Sequence, residues 1–154
     1  MAHHKDLTGS DLHEPKGVAA ASAGTVYVAD GAGSGDWTAQ KGSVYALTRT
    51  FDDVSTAADM YVAIPKNGTI ARIEAVLDAA ITLANSAVTF SIGGVAVDSS
   101  ALTITFSGSA PGSEFNSTPS GHNTVVAGNV LKISTDGAST GVAKLSVTVL
   151  INVS

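Results

Sequence analysis

The chain has 154 residues, of which 44% are hydrophobic and 14% are charged, and its formal net charge is −5. This length suits one compact domain with an additional segment. The eight Lys and Arg residues never cluster, whereas nucleic-acid binding relies on basic side chains that displace counterions from phosphates, so we expect no nucleic-acid partner. Cysteine is absent, which excludes disulfides and thiolate metal sites.

Membrane association and export are not expected either. The apolar runs are broken by Thr, Ser, Asn or Gly well before the roughly 18 residues that a membrane-spanning helix needs. No basic amphipathic helix would hold the chain at a membrane surface. Residues 1–17 lack the apolar core of a secretion signal, so we expect the protein to be made and used without export.

The front of the chain differs in character from the rest. Eight of the thirteen acidic residues lie within 1–60, where the apolar segments are short, whereas 61–154 is apolar, Thr-rich and sparsely charged. This contrast predicts an extended arm followed by a compact domain. We place the arm over 1–40 and the domain over 41–154.

Two strand candidates flank a glycine-rich segment near the front. Residues 24–30 and 43–51 carry the Val and Tyr residues that favour strands. Between them, "DGAGSGDW" (30–37) predicts a turn or a flexible hinge, because glycine adopts positive φ without a Cβ clash. An acidic, small-residue link (52–59) then leads into the predicted domain.

The Asn67-Gly68 dipeptide predicts a turn between two strands, since both residues tolerate positive φ. Residues 60–65 form the strand before it and 69–78 the strand after it. A helix over 69–78 is the rival interpretation, because Ala, Arg, Glu and Leu favour helices, but the alternation of apolar residues favours a strand. The predicted inward-facing residues are Ala71, Ile73, Ala75 and Leu77.

The remainder of the domain predicts further short strands. Residues 87–98 predict a hairpin around Gly93-Gly94, and 101–108 predict a strand. Residues 109–123, with two prolines and two glycines, predict a long loop, and 124–135 predict two short strands about a Gly-Asn turn. The last strand is predicted to turn four residues inward: Leu145, Val147, Val149 and Ile151.

Short strands at this spacing, with turns between them and no convincing helix, predict an all-β fold. We expect an antiparallel β-sandwich or a jelly-roll-like domain. We assign Leu150 and Val153 to the outer face of the last strand. Their apolar character leads us to expect that a neighbouring subunit covers that face.

No pattern in the chain points to catalysis. A nucleophile needs a base within hydrogen-bond reach and a third group that orients this base. His122 is the only histidine in the β region, and no G-x-S-x-G sequence accompanies it. We therefore interpret it as a loop residue without a catalytic role, and predict a non-enzymatic protein with no catalytic residues and no cofactor.

Phosphate and metal sites are also disfavoured. The glycine-rich segment is spaced like a phosphate-binding loop, but no helix follows and no lysine stands at the required place. Asp30 and Asp36 lack the alternating oxygen ligands and closing Glu of a calcium loop. Residues His3, His4 and His13 match no standard zinc spacing, so we predict no metal site.

A glycan-binding or adhesin module is the main alternative class. Sugar platforms usually present several exposed aromatic rings, whereas aromatic residues make up 5% of this chain. Phe115 and His122, both in the predicted loop, are the candidate contacts, and a host-surface glycan stays open as a partner. The sequons at Asn67, Asn116 and Asn152 would matter only in a secretory pathway.

The sequence "DLHEPKGVAA" (11–20) has the composition of a segment that lies extended. Pro15 fixes its own φ and pushes Glu14 towards extended geometry, and Gly17 frees the chain directly afterwards. Leu12 offers an apolar anchor. Its apolar surface is too small to order the segment by itself. The segment is therefore either a disordered tail or one that becomes ordered on a partner.

Residues 12–37, "LHEPKGVAAASAGTVYVADGAGSGDW", resemble the N-terminal segment of small virion proteins of tailed bacteriophages. These are the head decoration, cement or head-fibre proteins, in which an LH-x-PKG motif leads to a VYVADGAGSG-x-W segment. The resemblance implies a non-enzymatic protein on the outer surface of the virion, assembled in the host cytoplasm.

The resemblance also implies partners and contact residues. It implies binding to the major capsid protein, often as a homotrimer, with stabilisation of the capsid as the outcome. A related motif occurs in longer fibre proteins, so a head-fibre base is the alternative within the same class. The capsid-binding residues that the motif implies are Leu12, His13, Glu14, Pro15, Lys16, Gly17, Tyr27 and Trp37.

Overall fold

The structure is a computed structural model that describes residues 21–22, 24–32, 35–39 and 42–154. The chain divides into two units, Met1–Lys41 and Gly42–Ser154. Every regular element in the described part of the chain is a β-strand. The predicted all-β class is therefore confirmed.

The first unit contains a β-hairpin. Strand β1 (Thr25–Ala29) pairs antiparallel with β2 (Gly35–Ala39). The strand predicted over 24–30 is confirmed. The hinge predicted over 30–37 is wrong for its second half, because the residues from Gly35 onward pair with β1.

The second unit contains ten strands. They are β3 (Val44–Phe51), β4 (Ala58–Ala63), β5 (Gly68–Leu77), β6 (Ser86–Ile92), β7 (Val95–Ala96), β8 (Leu102–Ile104), β9 (Glu114–Ser117), β10 (Thr124–Val125), β11 (Val130–Thr135) and β12 (Leu145–Val153).

These strands form two antiparallel sheets, which we call the β12 sheet and the β11 sheet. The β12 sheet has the order β10-β5-β12-β3, with β9 also paired to β5. The β11 sheet has the order β4-β11-β6-β7, with β8 also paired to β6. The inner faces of both sheets contribute to one buried cluster, which makes the unit a β-sandwich.

The core follows from strict alternation along the central strands, since successive side chains of a strand point to opposite faces. On β12 the four residues predicted to point inward are at most 1% exposed. Leu131 and Ile133 of β11 supply the facing layer and are equally buried. The inward prediction for the last strand is confirmed.

The outer-face prediction for the same strand is half right. Leu150 lies between the inward-facing Val149 and Ile151, and it is half-buried on the outer face. Val153 follows Ile151 by two positions and therefore shares the inner side, where it is half-buried at the end of the strand. Its assignment to the outer face is wrong.

Strand β5 confirms the predicted strand over 69–78 against the helical alternative, but its alternation contains a break. The register with β12 shifts between Leu150 and Ile151, so that Ile70 rather than Ala71 is buried. A β-bulge adds one residue to one strand and reverses the faces beyond it. The inward prediction is right for 73, 75 and 77 and wrong for Ala71.

The Asn67-Gly68 dipeptide connects strands of different sheets and forms no hairpin. Gly68 is the first residue of β5 and is buried, and its φ is not positive. A Cβ at this position would collide with the backbone oxygen of Asn152 and lie 2.7 Å from the side chain of Ile151. Close packing against β12, rather than turn geometry, requires this glycine.

The Gly93-Gly94 hairpin is confirmed, since β6 and β7 pair and both glycines have positive φ. The loop predicted over 109–123 contains a strand, β9, and is wrong to that extent. The strand predicted over 101–108 ends at Ile104, and Phe106 is 43% exposed. Two short strands occupy 124–135 as predicted, although they belong to different sheets.

Candidate functional site

The capsid-binding residues implied by the resemblance fall into two groups. Leu12, His13, Glu14, Pro15, Lys16 and Gly17 lie outside the described residues. Tyr27 and Trp37 lie within the β1–β2 hairpin, ten positions apart in sequence. The hairpin is therefore the part of the candidate site that the structure describes.

The hairpin register places Tyr27 directly opposite Trp37. Their ring centroids are 5.4 Å apart and their planes meet at 62°, an edge-to-face arrangement. Aromatic rings prefer this geometry because the positive edge of one ring meets the negative face of the other. Tyr27 and Trp37, which the resemblance implied as separate contact residues, thus form one aromatic pair.

The turn of the hairpin is built from local polar contacts. Asp30 Oδ1 accepts a hydrogen bond from the backbone N–H of Ala32 at 2.8 Å, as in an Asx-turn. Gly31 has φ +76°, which an L side chain rarely adopts. At Gly35 a Cβ would come within 2.9 Å of Ala29 Cα. Glycine is therefore required at Gly31 by the backbone conformation and at Gly35 by the lack of space for a side chain.

The side chains described in the hairpin are half-buried or exposed. Tyr27 and Trp37 are half-buried, and no side chain described in β1 or β2 belongs to the buried class. Val26 and Val28 are 40% and 51% exposed. Two-stranded hairpins are marginally stable in water without a further apolar cover.

His122 has a partner that the sequence analysis did not identify. Its Nδ1 lies 2.9 Å from Asp98 Oδ2, and its φ is +46°. Backbone hydrogen bonds between Asp98 and the 120–121 segment, and a contact between the Ser99 and Ser120 hydroxyls at 2.8 Å, hold the same two segments together.

The His122–Asp98 pair has the arrangement of a base and the carboxylate that orients it in a hydrolytic site, but the described residues place no nucleophile beside it. The side chains of His122 and Asp98 are 64% and 53% exposed, and among the described residues no hydroxyl contacts the second ring nitrogen of His122. Nucleophilic catalysis would need that hydroxyl. The observed contacts connect the segment around His122 to the segment around Asp98.

Phe115 also differs from its predicted environment. It pairs with Ala75 across β9 and β5, on the inner side of the sheet, and packs against the core. The outer side of the same strands carries Glu114 and Asn116, which line a shallow depression of about 290 Å³ together with the Arg72–Glu74 ion pair. Phe115 also lines this depression, while its half-buried side chain packs against the core.

Asp136, directly after β11, connects that segment to the start of β6. Asp136 Oδ1 accepts hydrogen bonds from the backbone N–H groups of Ala87 and Ala138 and from the hydroxyl of Ser86, at 2.9 to 3.1 Å. Burial by itself would raise the pKa of Asp136, but these hydrogen bonds outweigh it and lower the pKa. The carboxylate is thus a structural acceptor.

A second ionic contact lies on the open outer face of the β11 sheet. Lys132 Nζ is 3.0 Å from Asp59 Oδ2. A hydrogen bond from Ser134, followed by the Lys132 contact, lowers the pKa of Asp59, and the hydrogen bond to Asp59 raises the pKa of Lys132. Tyr61, directly opposite Lys132 on β4, is 64% exposed.

No group of three or more His, Cys, Asp or Glu residues that could hold a metal ion occurs in the portion that the structure describes. None of the described segments is a helix long and apolar enough to span a membrane.

Comparisons with known proteins add no relative. No protein-family model matches the chain, and neither the curated proteins nor the solved structures contain a match to it.

Proposed function

We propose that this chain is a non-enzymatic structural protein of a tailed-bacteriophage virion, which decorates and stabilises the outside of the capsid. Its N-terminal arm docks onto the major capsid protein, and its β-sandwich lies above the shell. The protein assembles onto heads in the host cytoplasm. A head-fibre base on the same surface is the alternative within this class.

The observation that carries this proposal is the Tyr27–Trp37 pair. Both residues come from the segment that resembles phage head proteins, and they meet at 5.4 Å across the hairpin. Interfaces between proteins are enriched in Tyr and Trp, which supply large contact areas at low entropic cost. An aromatic pair on a marginal hairpin suits a contact that is completed by a partner.

Stabilisation of the shell follows from binding to its assembled state. A ligand that binds only the assembled form shifts the equilibrium towards that form by mass action. Many copies on one lattice, or several sites within an oligomer, multiply weak contacts through avidity. This function needs affinity and no turnover.

A homotrimer is part of the proposal, and the outer face of the β12 sheet supports self-association. The residues of this face on β3 and β12 carry no charge, and their hydroxyls already pair across the strands: Thr48 with Thr148 at 2.9 Å and Thr50 with Ser146 at 3.2 Å. This β3–β12 half of the face carries no charge that burial between copies of net charge −5 would have to desolvate.

Co-sedimentation of the full-length protein with purified empty heads tests the capsid role. We expect wild type to pellet with heads and the variant carrying Tyr27→Ala and Trp37→Ala to lose at least about tenfold in affinity, since aromatic anchors dominate interface energies. Tyr61→Ala, which removes one exposed tyrosine ring from the sandwich, is the control and should bind like wild type. Equal binding by the hairpin variant would contradict the proposal, as would absence of wild-type binding.

A further inference from the structure

The outer face of the β11 sheet carries an exposed aromatic ring beside a fixed pair of charged groups. Tyr61 lies on the edge strand β4, and its cross-strand neighbour is Lys132 on β11. Asp59 precedes Tyr61 by two positions, on the same face, and pairs with Ser134 in the register. Together with Val130 we call these residues the Tyr61 platform.

The ring of Tyr61 is available to a ligand. It is 64% exposed, the most exposed of the aromatic side chains that the structure describes in the sandwich, where Phe106 reaches 43%. Phe51 and Phe90 are at most 3% exposed. Because Tyr61 points away from the core on an edge strand, packing of the sandwich does not explain an aromatic residue at this position.

The polar groups next to the ring are held in place. The Lys132 ammonium group and the Asp59 carboxylate lie 3.0 Å apart, with side-chain exposures of 37% and 43%. Both therefore reach solvent while their mutual contact restricts their positions. The lysine can donate and the carboxylate can accept further hydrogen bonds to a ligand over the ring.

The two sides of the ring differ in polarity. Asp59 and Ser134 lie towards one end of the strands, where Lys132, level with the ring, contacts Asp59. Val130, 46% exposed, and Ala63 lie towards the other end. An apolar ring face with a hydrogen-bonding group at one side complements a pyranose, whose C–H face is apolar and whose rim carries hydroxyls. The net charge of the platform is zero, since its one cation is paired with its one anion.

We propose that the Tyr61 platform is a binding site for an uncharged saccharide, a hexose or N-acetylhexosamine unit of an oligosaccharide or polysaccharide. The sugar ring stacks on Tyr61, and its hydroxyls accept from Lys132 and donate to Asp59. The pairing of Lys132 with Asp59 disfavours sialylated or phosphorylated ligands, because no uncompensated cation remains on the platform. This site is independent of the arm and of capsid binding.

The shape of the platform sets the expected strength of binding. Small-molecule sites are usually concave, whereas this one is the open face of a sheet. A single site should therefore bind weakly, and useful binding to a surface polysaccharide would arise from many copies acting together. An open face also lets a polymer continue past the edge strand in both directions.

The test is a titration of the isotope-labelled full-length protein, followed by amide chemical shifts in NMR spectra. The probes are neutral oligosaccharides of glucose, galactose, mannose, N-acetylglucosamine and N-acetylgalactosamine, with 3′-sialyllactose as the anionic comparison. We expect saturable shifts confined to β4 and β11 with at least one neutral probe, and weaker binding of the sialylated one. Tyr61→Ala should weaken binding at least about tenfold, and Tyr61→Trp should keep it within about threefold.

The controls separate this proposal from the capsid role. Tyr27→Ala, in the hairpin, should bind the neutral probe like wild type, and Tyr61→Ala should still pellet with heads. Asp59→Asn and Lys132→Met should each weaken sugar binding while leaving unfolding by urea cooperative. Absence of saturable shifts with every neutral probe overturns the proposal, as do shifts located around Glu114 or His122 instead, or tighter binding of the sialylated probe.

Discussion

The hairpin and the sandwich use the same element, the β-strand, with opposite consequences for stability. The central strands β5, β11 and β12 have neighbours on both sides and bury one face completely. The strands β1 and β2 pair only with each other among the described elements, and Tyr27 and Trp37 form a half-buried aromatic pair across them. The sandwich carries its own core, whereas no side chain described in β1 or β2 belongs to the buried class.

This difference is the physical basis of the proposed capsid contact. Each ordered residue costs roughly 1–2 kcal/mol of backbone entropy, which the sandwich offsets through its core. A pair of aromatic rings contributes about 0.5–1.5 kcal/mol beyond the area it buries. The hairpin therefore stands to gain far more from an added surface than the sandwich does.

The largest effect should come from a cavity in the sandwich. Leu145→Ala removes a fully buried side chain of β12 and should lower the free energy of unfolding by about 2–5 kcal/mol. Urea denaturation followed by circular dichroism measures this loss. A loss below about 0.5 kcal/mol would show that the core is packed differently.

An intermediate effect should come from the Asp136 hydrogen bonds. Asp136→Asn keeps the shape but removes the charge that three donors share, and should lower the free energy of unfolding by about 1 kcal/mol after allowance for solvent exposure. The lowered pKa of Asp136 means that its contribution is complete above the unfolded-state pKa of about 4 and is lost as the pH falls through the folded-state pKa.

The pH dependence provides the check on that prediction. The difference between wild type and Asp136→Asn, measured by urea denaturation in a series of buffers, should be constant near neutrality and shrink below about pH 4. A difference that grew on acidification would have the wrong sign and contradict the role of the carboxylate as an acceptor.

The smallest effect should come from the hairpin itself. Trp37→Ala should change the free energy of unfolding of the sandwich by less than about 0.5 kcal/mol, because the buried cluster of the sandwich draws its members from residues 47–151. The same denaturation experiment measures it. A loss as large as that of Leu145→Ala would remove the contrast between the two units.

The alternation of apolar and polar residues predicted the inward-facing side chains of the sandwich correctly where its strands are regular. The inward residues of β12 and the Gly93-Gly94 hairpin required only period-two counting and turn chemistry. The same counting failed at Ala71, because a β-bulge interrupts the period of two, so that the buried Ile70 and Ile73 are three positions apart. It also missed β9, whose short sequence, Glu114–Ser117, lies between prolines and contains one apolar residue.

The candidate sites were less predictable than the fold. Tyr27 and Trp37 came from the motif, and their contact follows from a hairpin whose second strand was not predicted. Asp98 and His122 are 24 positions apart and share no motif, so only the tertiary structure joins them. Tyr61 was not predicted as a site residue, because the sequence around a single tyrosine in a strand does not indicate the face on which the tyrosine lies.

Hydrogen exchange of the full-length protein, free and bound to empty heads, tests the central claim most directly. The account predicts that amides of β1 and β2 exchange rapidly in the free protein and become protected on heads, while amides of β5, β11 and β12 are protected in both states. Equal protection of the hairpin amides in the two states would contradict the claim that a viral shell completes this part of the molecule.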